Sequence, residues 1–126
     1  MRIRSLLRVS VLGAVLILAL AGVAAAHAYP SSENPAAGAA LGLPPARVVI
    51  DFGAPIEHLF SKLEVIDGKG RNEAAGAPAV SANQRELSVG LAPLRPGSYT
   101  VKWSVVAEDG HRTEGSYAFT VRPGAR

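Results

Sequence analysis

Cysteine is absent from the chain, and the only methionine is Met1. The first absence excludes a disulfide framework, a thiolate metal site and a cysteine nucleophile, so an apolar core must hold the fold together. The second leaves no thioether ligand beyond residue 1. Aromatic residues are only 6% of the chain and form no stripe that could dock a polysaccharide. An excess of one charge is also missing where it would matter. Of the 13 Lys/Arg, Arg2, Arg4 and Arg8 precede residue 27, and 13 minus 3 leaves ten against ten Asp/Glu, so the rest of the chain is formally neutral. The net charge of +3 therefore belongs to the N-terminal stretch, and nucleic-acid binding drops out as a leading reading. A length of 126 residues admits one ordinary domain.

What is present begins with a basic segment, Met1 to Arg8, then an uncharged apolar run, Val9 to Val23, then Ala24-Ala25-Ala26 before polar sequence. This is the layout of a secretory signal peptide, residues 1–26, which places the mature domain, residues 27–126, outside the cytoplasm with no membrane span of its own. An uncleaved anchor is the alternative, because Val9 to Ala26 approaches the lower length limit for crossing a bilayer. Cleavage after Ala26 makes His27 the first residue. Its free α-amine and ring Nδ1 can then close a six-membered chelate around one metal ion, which an internal His cannot do. Cleavage after Ala21 or Ala28 also satisfies the Ala-x-Ala pattern and would abolish that chelate.

From His27 to Ala46, four prolines (Pro30, Pro35, Pro44, Pro45) among Ala and Gly predict an extended, turn-rich lead-in. Beyond it the hydrophobic period becomes two: Val48, Ile50, Phe52; Leu63, Val65; Leu87, Val89, Leu91; Tyr99, Val101, Trp103, Val105; and Tyr117, Phe119, Val121. These are strands with one buried face. Between them stand Gly53-Ala54-Pro55, Asp67-Gly68-Lys69-Gly70, Gly76-Ala77-Pro78, Pro93 to Gly97 and Asp109-Gly110, all turn chemistry. The pattern predicts an all-β fold, a small antiparallel Greek-key sandwich or barrel, immunoglobulin-like (cupredoxin-like) without a disulfide. Glu73 to Ala82 is expected as an exposed loop or weak edge strand. Trp103, central in its strand, is expected in the core rather than as a stacking platform.

His27, His58 and His111 are the only histidines. In Asp109-Gly110-His111 two donors two residues apart share a face on a continuing strand, or converge around a Gly turn. Alone this is a weak signal. Joined to an N-terminal His27 it becomes amine and imidazole from His27, imidazole from His111 and a carboxylate oxygen from Asp109. That N3O set suits a tetragonal Cu(II) ion. His58 is expected as solvated surface or an accessory contact, and Glu57 and Glu108 as surface carboxylates. Ser31-Ser32-Glu33 and Ser104 lack a base at readable spacing, so a hydrolytic triad has no support.

The run Gly97-x-Tyr99-x-Val101-x-Trp103-x-Val105-Val106-x-x-Asp109-Gly110-His111-x-x-x-Gly115-x-x-x-Phe119-x-Val121 resembles the C-terminal signature of the CopC copper-resistance family. His27-Ala28 with Pro35-Ala36-x-Gly38 is similar to that family's mature N-terminus, and Val48 to Phe60 to its next strand and loop. From Asp67 to Gln84 only the hydrophobic pattern matches. The resemblance implies a periplasmic or secreted β-sandwich that binds Cu(II) through His27, Asp109 and His111, a monomer serving an inner-membrane copper transporter of the CopD type. Some members add a Glu ligand where this chain has Ala54, and others carry a Met-rich loop for Cu(I) that this chain lacks.

Three functions of different class are therefore expected in order: a non-enzymatic Cu(II) carrier or buffer in copper homeostasis, resistance or import; a His-brace copper redox enzyme of the monooxygenase kind; and a metal-free sandwich that binds a partner.

Overall fold

Alternation along the strands settles which face of each sheet turns inward. The computed structural model describes residues 27–124; residues 1–26, expected as a signal peptide, and residues 125–126 lie outside the described residues. Among the described residues there are eight strands: β1 (Pro30–Asn34), β2 (Ala40–Leu41), β3 (Arg47–Phe52), β4 (Lys62–Ile66), β5 (Ala79–Val80), β6 (Glu86–Gly90), β7 (Gly97–Val106) and β8 (Arg112–Val121). They form two four-stranded sheets, ordered β1-β3-β6-β5 and β2-β8-β7-β4. Among the described residues no helix is long and apolar enough to cross a membrane.

The core is the set of residues that the period of two picks out. Val48, Ile50, Phe52, Leu87 and Val89 of one sheet meet Leu63, Val65, Val101, Trp103, Val105, Phe119 and Val121 of the other. Tyr99 stacks on Phe119 with ring centroids 5.4 Å apart. Trp103 is 7% exposed and meets Phe52 edge-on at 5.4 Å, so it is a core residue as expected. Truncating a buried aromatic of this kind costs roughly 3 to 5 kcal/mol. Ser104 points outward, where its hydroxyl accepts a 2.6 Å hydrogen bond from Arg112 Nη1.

The chain crosses between sheets at every step from β1 to β5 and again from β6 to β7, while β5-β6 and β7-β8 are hairpins. Two features go beyond the sequence reading. The lead-in contains strands: β1 pairs with β3 from Pro30↔Phe52 to Asn34↔Val49, and its Ser32 hydroxyl binds Asp51 Oδ2 at 2.8 Å. A polar edge strand opening on proline carries no hydrophobic alternation, so its pairing rests on backbone bonds that periodicity does not record. The sandwich is also not wholly antiparallel, because β2 runs parallel to β8, Ala40↔Thr120 and Leu41↔Val121. Two residues are too few to show a period or a direction. As expected, the Glu73–Ala82 segment is mostly loop, with β5 a two-residue edge strand.

β7 and β8 pair along their whole length, which sets Trp103 opposite Gly115. The indole lies on the glycine backbone so closely that an added Cβ would stand 2.7 Å from Trp103 Cζ2. Gly115→Ala should therefore lower the unfolding free energy by about 1 to 3 kcal/mol through overpacking, with a changed emission spectrum from Trp103, the single tryptophan. Denaturant unfolding followed by that fluorescence measures both; an unchanged midpoint would contradict the packing described.

Candidate metal centre

The β7-β8 hairpin ends in a tight turn. Gly110 N–H donates to the Ala107 carbonyl at 2.9 Å, Ala107 N–H donates to the His111 carbonyl at 2.9 Å, and Gly110 has φ +85°. That left-handed conformation is why glycine separates the two donors. Of the two geometries the sequence left open, Asp109 and His111 adopt the convergent one. Asp109 Oδ1 accepts the His111 backbone N–H at 3.0 Å, and Asp109 Oδ2 lies 3.0 Å from His111 Nδ1. A proton on Nδ1, held against Oδ2, leaves Nε2 with its lone pair free for a metal.

His27 reaches the same end of the sandwich because the residues after it are sewn into both sheets. Ala28 is fully buried, and its carbonyl accepts a 2.6 Å hydrogen bond from the buried Thr113 hydroxyl of β8. The Tyr29 carbonyl accepts the Gly53 N–H at 3.0 Å, just beyond β3. The His27 ring consequently lies 4.9 Å from the His111 ring, centroid to centroid, tilted by 36°. One potential ligand atom from each of His27, Asp109 and His111 lies within 4.8 Å of the others. Two imidazoles and a carboxylate at this spacing suit a divalent first-row cation better than a hard Mg2+ or Ca2+, which takes an all-oxygen cage.

Hydrogen bonds from His111, first from its backbone N–H and then from its ring, hold the Asp109 carboxyl below the usual Asp range; slight desolvation opposes them, and the two histidines add a weaker coulombic pull in the same direction. A depressed carboxylate of this kind contributes stability above its unfolded value and loses it as pH falls through the folded one. Asp109 therefore remains charged throughout the range in which imidazoles ordinarily titrate.

The other sequence candidates sit elsewhere. His58 is exposed and does not join the cluster; nor do Glu57, whose N–H donates to the Val106 carbonyl at 2.8 Å, or Glu108. Ala54 packs half-buried against the core and carries no donor. Sequence reasoning missed Thr113. The signal was available, since Thr113 has the same inward parity as Phe119 and Val121, and a hydroxyl at such a position costs roughly 1 to 3 kcal/mol unless bonded. Two open concavities lie away from the cluster. One, of about 640 Å3, covers the outer face of β4, β7 and β8 around Lys62, Glu64, Lys102 and Glu114. The other, of about 470 Å3, lies at the opposite end of β7 beside Asp67, Arg71 and Arg95. An ion, not an organic substrate, matches the scale of the cluster.

Comparison with known proteins reports the same kinship over most of the chain. The CopC domain profile matches residues 31–122. Protein YobA of Escherichia coli K12 is 37% identical over 99 residues, covering 77% of this chain and 80% of that protein. The copper transport protein CutJ of Bacillus subtilis is 30% identical over 98 residues, 76% of this chain but only 18% of CutJ. Among solved structures, CopC from Methylosinus trichosporium OB3b superposes with a TM-score of 0.73 at 32% identity, over 79% of this chain and 98% of that one. PcoC, a methionine-rich copper resistance protein from E. coli, gives 0.66 at 27% identity, over 77% and 100%.

The Asp109 geometry has a direct spectroscopic consequence in the metal-free protein. Its carboxyl should titrate below the ordinary Asp midpoint by carbon-13 NMR. In His111→Ala the midpoint should rise only part of the way, because the backbone N–H of residue 111 still donates. A midpoint at the ordinary value in the unaltered protein would contradict the hydrogen bonding described.

Proposed function

The chain belongs to the CopC domain family, and from that premise we propose that it is an extracytoplasmic Cu(II)-binding protein that carries or buffers copper rather than transforming it. The observation that carries the reading is the convergence of His27, Asp109 and His111 within 4.8 Å at one end of the sandwich. The copper functions named for CutJ and PcoC support the choice of metal. Removal of residues 1–26 places the mature protein in the periplasm or cell envelope and frees the His27 amine. The chelate of amine and Nδ1 then grips Cu(II) from one side, Nε2 of His111 closes the brace from the other, and Asp109 supplies a carboxylate oxygen while orienting the His111 ring.

Each nitrogen donor coordinates only when unprotonated, so acid loosens the ion while Asp109 stays charged. The ligands lie at the surface: the His111 side chain is 66% exposed and the Asp109 side chain 25%. An ion held there can be approached by the incoming ligands of a membrane copper transporter, which suits reversible transfer by a monomeric carrier.

Secreted protein whose N-terminus is confirmed as His27 should bind one Cu(II) and give the electron paramagnetic resonance of a tetragonal, nitrogen-rich centre. One extra residue before His27 should weaken binding severely, and His111→Ala should weaken it far more than His58→Ala. Equal losses from the two His variants, or undiminished binding by the extended protein, would refute the brace. Soft Cu(I) prefers thiolate and thioether ligands, and residues 27–126 contain neither. Ascorbate reduction of the loaded protein should therefore release copper to a Cu(I) chelator of modest strength; retention would reveal a soft site.

A further inference from the structure

Thr113 occupies an inward position of β8, two residues beyond His111, where the neighbouring inward positions hold Gly115, Tyr117, Phe119 and Val121. Valine would fill the same volume there, so the hydroxyl is chemically significant only through its bond. That bond runs to the carbonyl of Ala28, 85 residues away in sequence, with Thr113 7% exposed and Ala28 fully buried. The next carbonyl, that of Tyr29, is taken by Gly53 N–H at 3.0 Å. Consecutive carbonyls after His27 are thus tied to β8 on one side and to the end of β3 on the other, and only the torsions of Ala28 and His27 separate this anchorage from the imidazole.

We propose that Thr113 is a positioning residue of the copper site: its hydroxyl clamps the Ala28 carbonyl and so presents His27 to His111 before any ion arrives. The inference rests on the copper reading above and adds to it the source of the site's preorganisation. Without the clamp, the backbone around His27 must be ordered at the moment of binding, and that entropy is subtracted from the affinity. The clamp acts on the alignment of His27 with the ligands of the hairpin turn, Asp109 and His111, so its effect exists only while a ligand of that turn is present.

The test is Cu(II) affinity, measured by competition with a Cu(II) chelator on secreted protein beginning at His27, at a temperature where circular dichroism shows every variant folded. Thr113→Val should weaken binding about tenfold, the scale set by ordering roughly one residue. Thr113→Ser, which keeps the hydroxyl, should stay close to the unaltered protein. In an Asp109→Ala/His111→Ala background, which leaves only the His27 chelate, Thr113→Val should cause little further loss, because an ion held by that chelate alone gains nothing from alignment with the hairpin. A merely structural role would give the same penalty in both backgrounds, and that result, or unchanged affinity in Thr113→Val, would overturn the proposal. Should Thr113→Val fail to fold, Thr113→Ala removes the hydroxyl without risk of a clash. Failure of the unaltered protein to take up Cu(II) would overturn the copper reading itself, a result distinct from uptake that ignores Thr113.

Discussion

The register of the β7-β8 hairpin governs more of this molecule than any other single constraint. Two ten-residue strands pair from Gly97↔Val121 to Val106↔Arg112. That pairing places the Trp103 indole over Gly115, sets Tyr99 against Phe119, turns Thr113 inward and leaves His111 at the tip. A slip of β8 by one residue would send its Thr113, Tyr117 and Phe119 side chains to the opposite face. The close approach at Gly115 helps to lock the register, because any residue with a Cβ brought beneath the indole would clash.

The same hairpin is half of the site, and the lead-in is the other half. β1 adds to the edge of one sheet, β2 adds in parallel to the edge of the other, and residues 27–29 pass across the open end between them. The loop after β3 closes that end through the bridge Ile56↔Ala107 and the bond from Glu57 N–H to the Val106 carbonyl. Arg112 extends from the turn end of the hairpin to Ser104 and toward the Phe60 carbonyl, drawing the same loop against the sheet. Donors that emerge from separate parts of the chain are thereby held on a scaffold that does not need to rearrange to bring them together.

The electrostatics of the site follow from its place at the surface. Asp109 is held charged chiefly by hydrogen bonds within its own turn, with coulombic attraction secondary, so the carboxylate is a property of the Asp-Gly-His turn more than of the surrounding fold. His111 is oriented by the same turn through Oδ2. Only His27 depends on the tertiary structure for its place.

The period of two was enough to identify five of the eight strands, the inward residues and the sandwich class, because burial of one sheet face is written into each strand locally. Asp109-Gly110-His111 was legible for a similar reason: a turn with glycine at a left-handed position brings its neighbours together without help from elsewhere. The family resemblance, likewise, was carried by contiguous motifs. Three things were decided only in the folded molecule. β1 and β2 have too little alternation, or too little length, to declare a partner or a direction. The polar candidates His58, Glu57 and Glu108 share the chemistry of the cluster but not its place. The contact between Thr113 and Ala28 joins residues 85 apart, and nothing in either local sequence names the other. Local sequence encodes which face a residue turns toward the core; which distant backbone group meets it there is set by how two sheets pack, and that is a property of the whole chain.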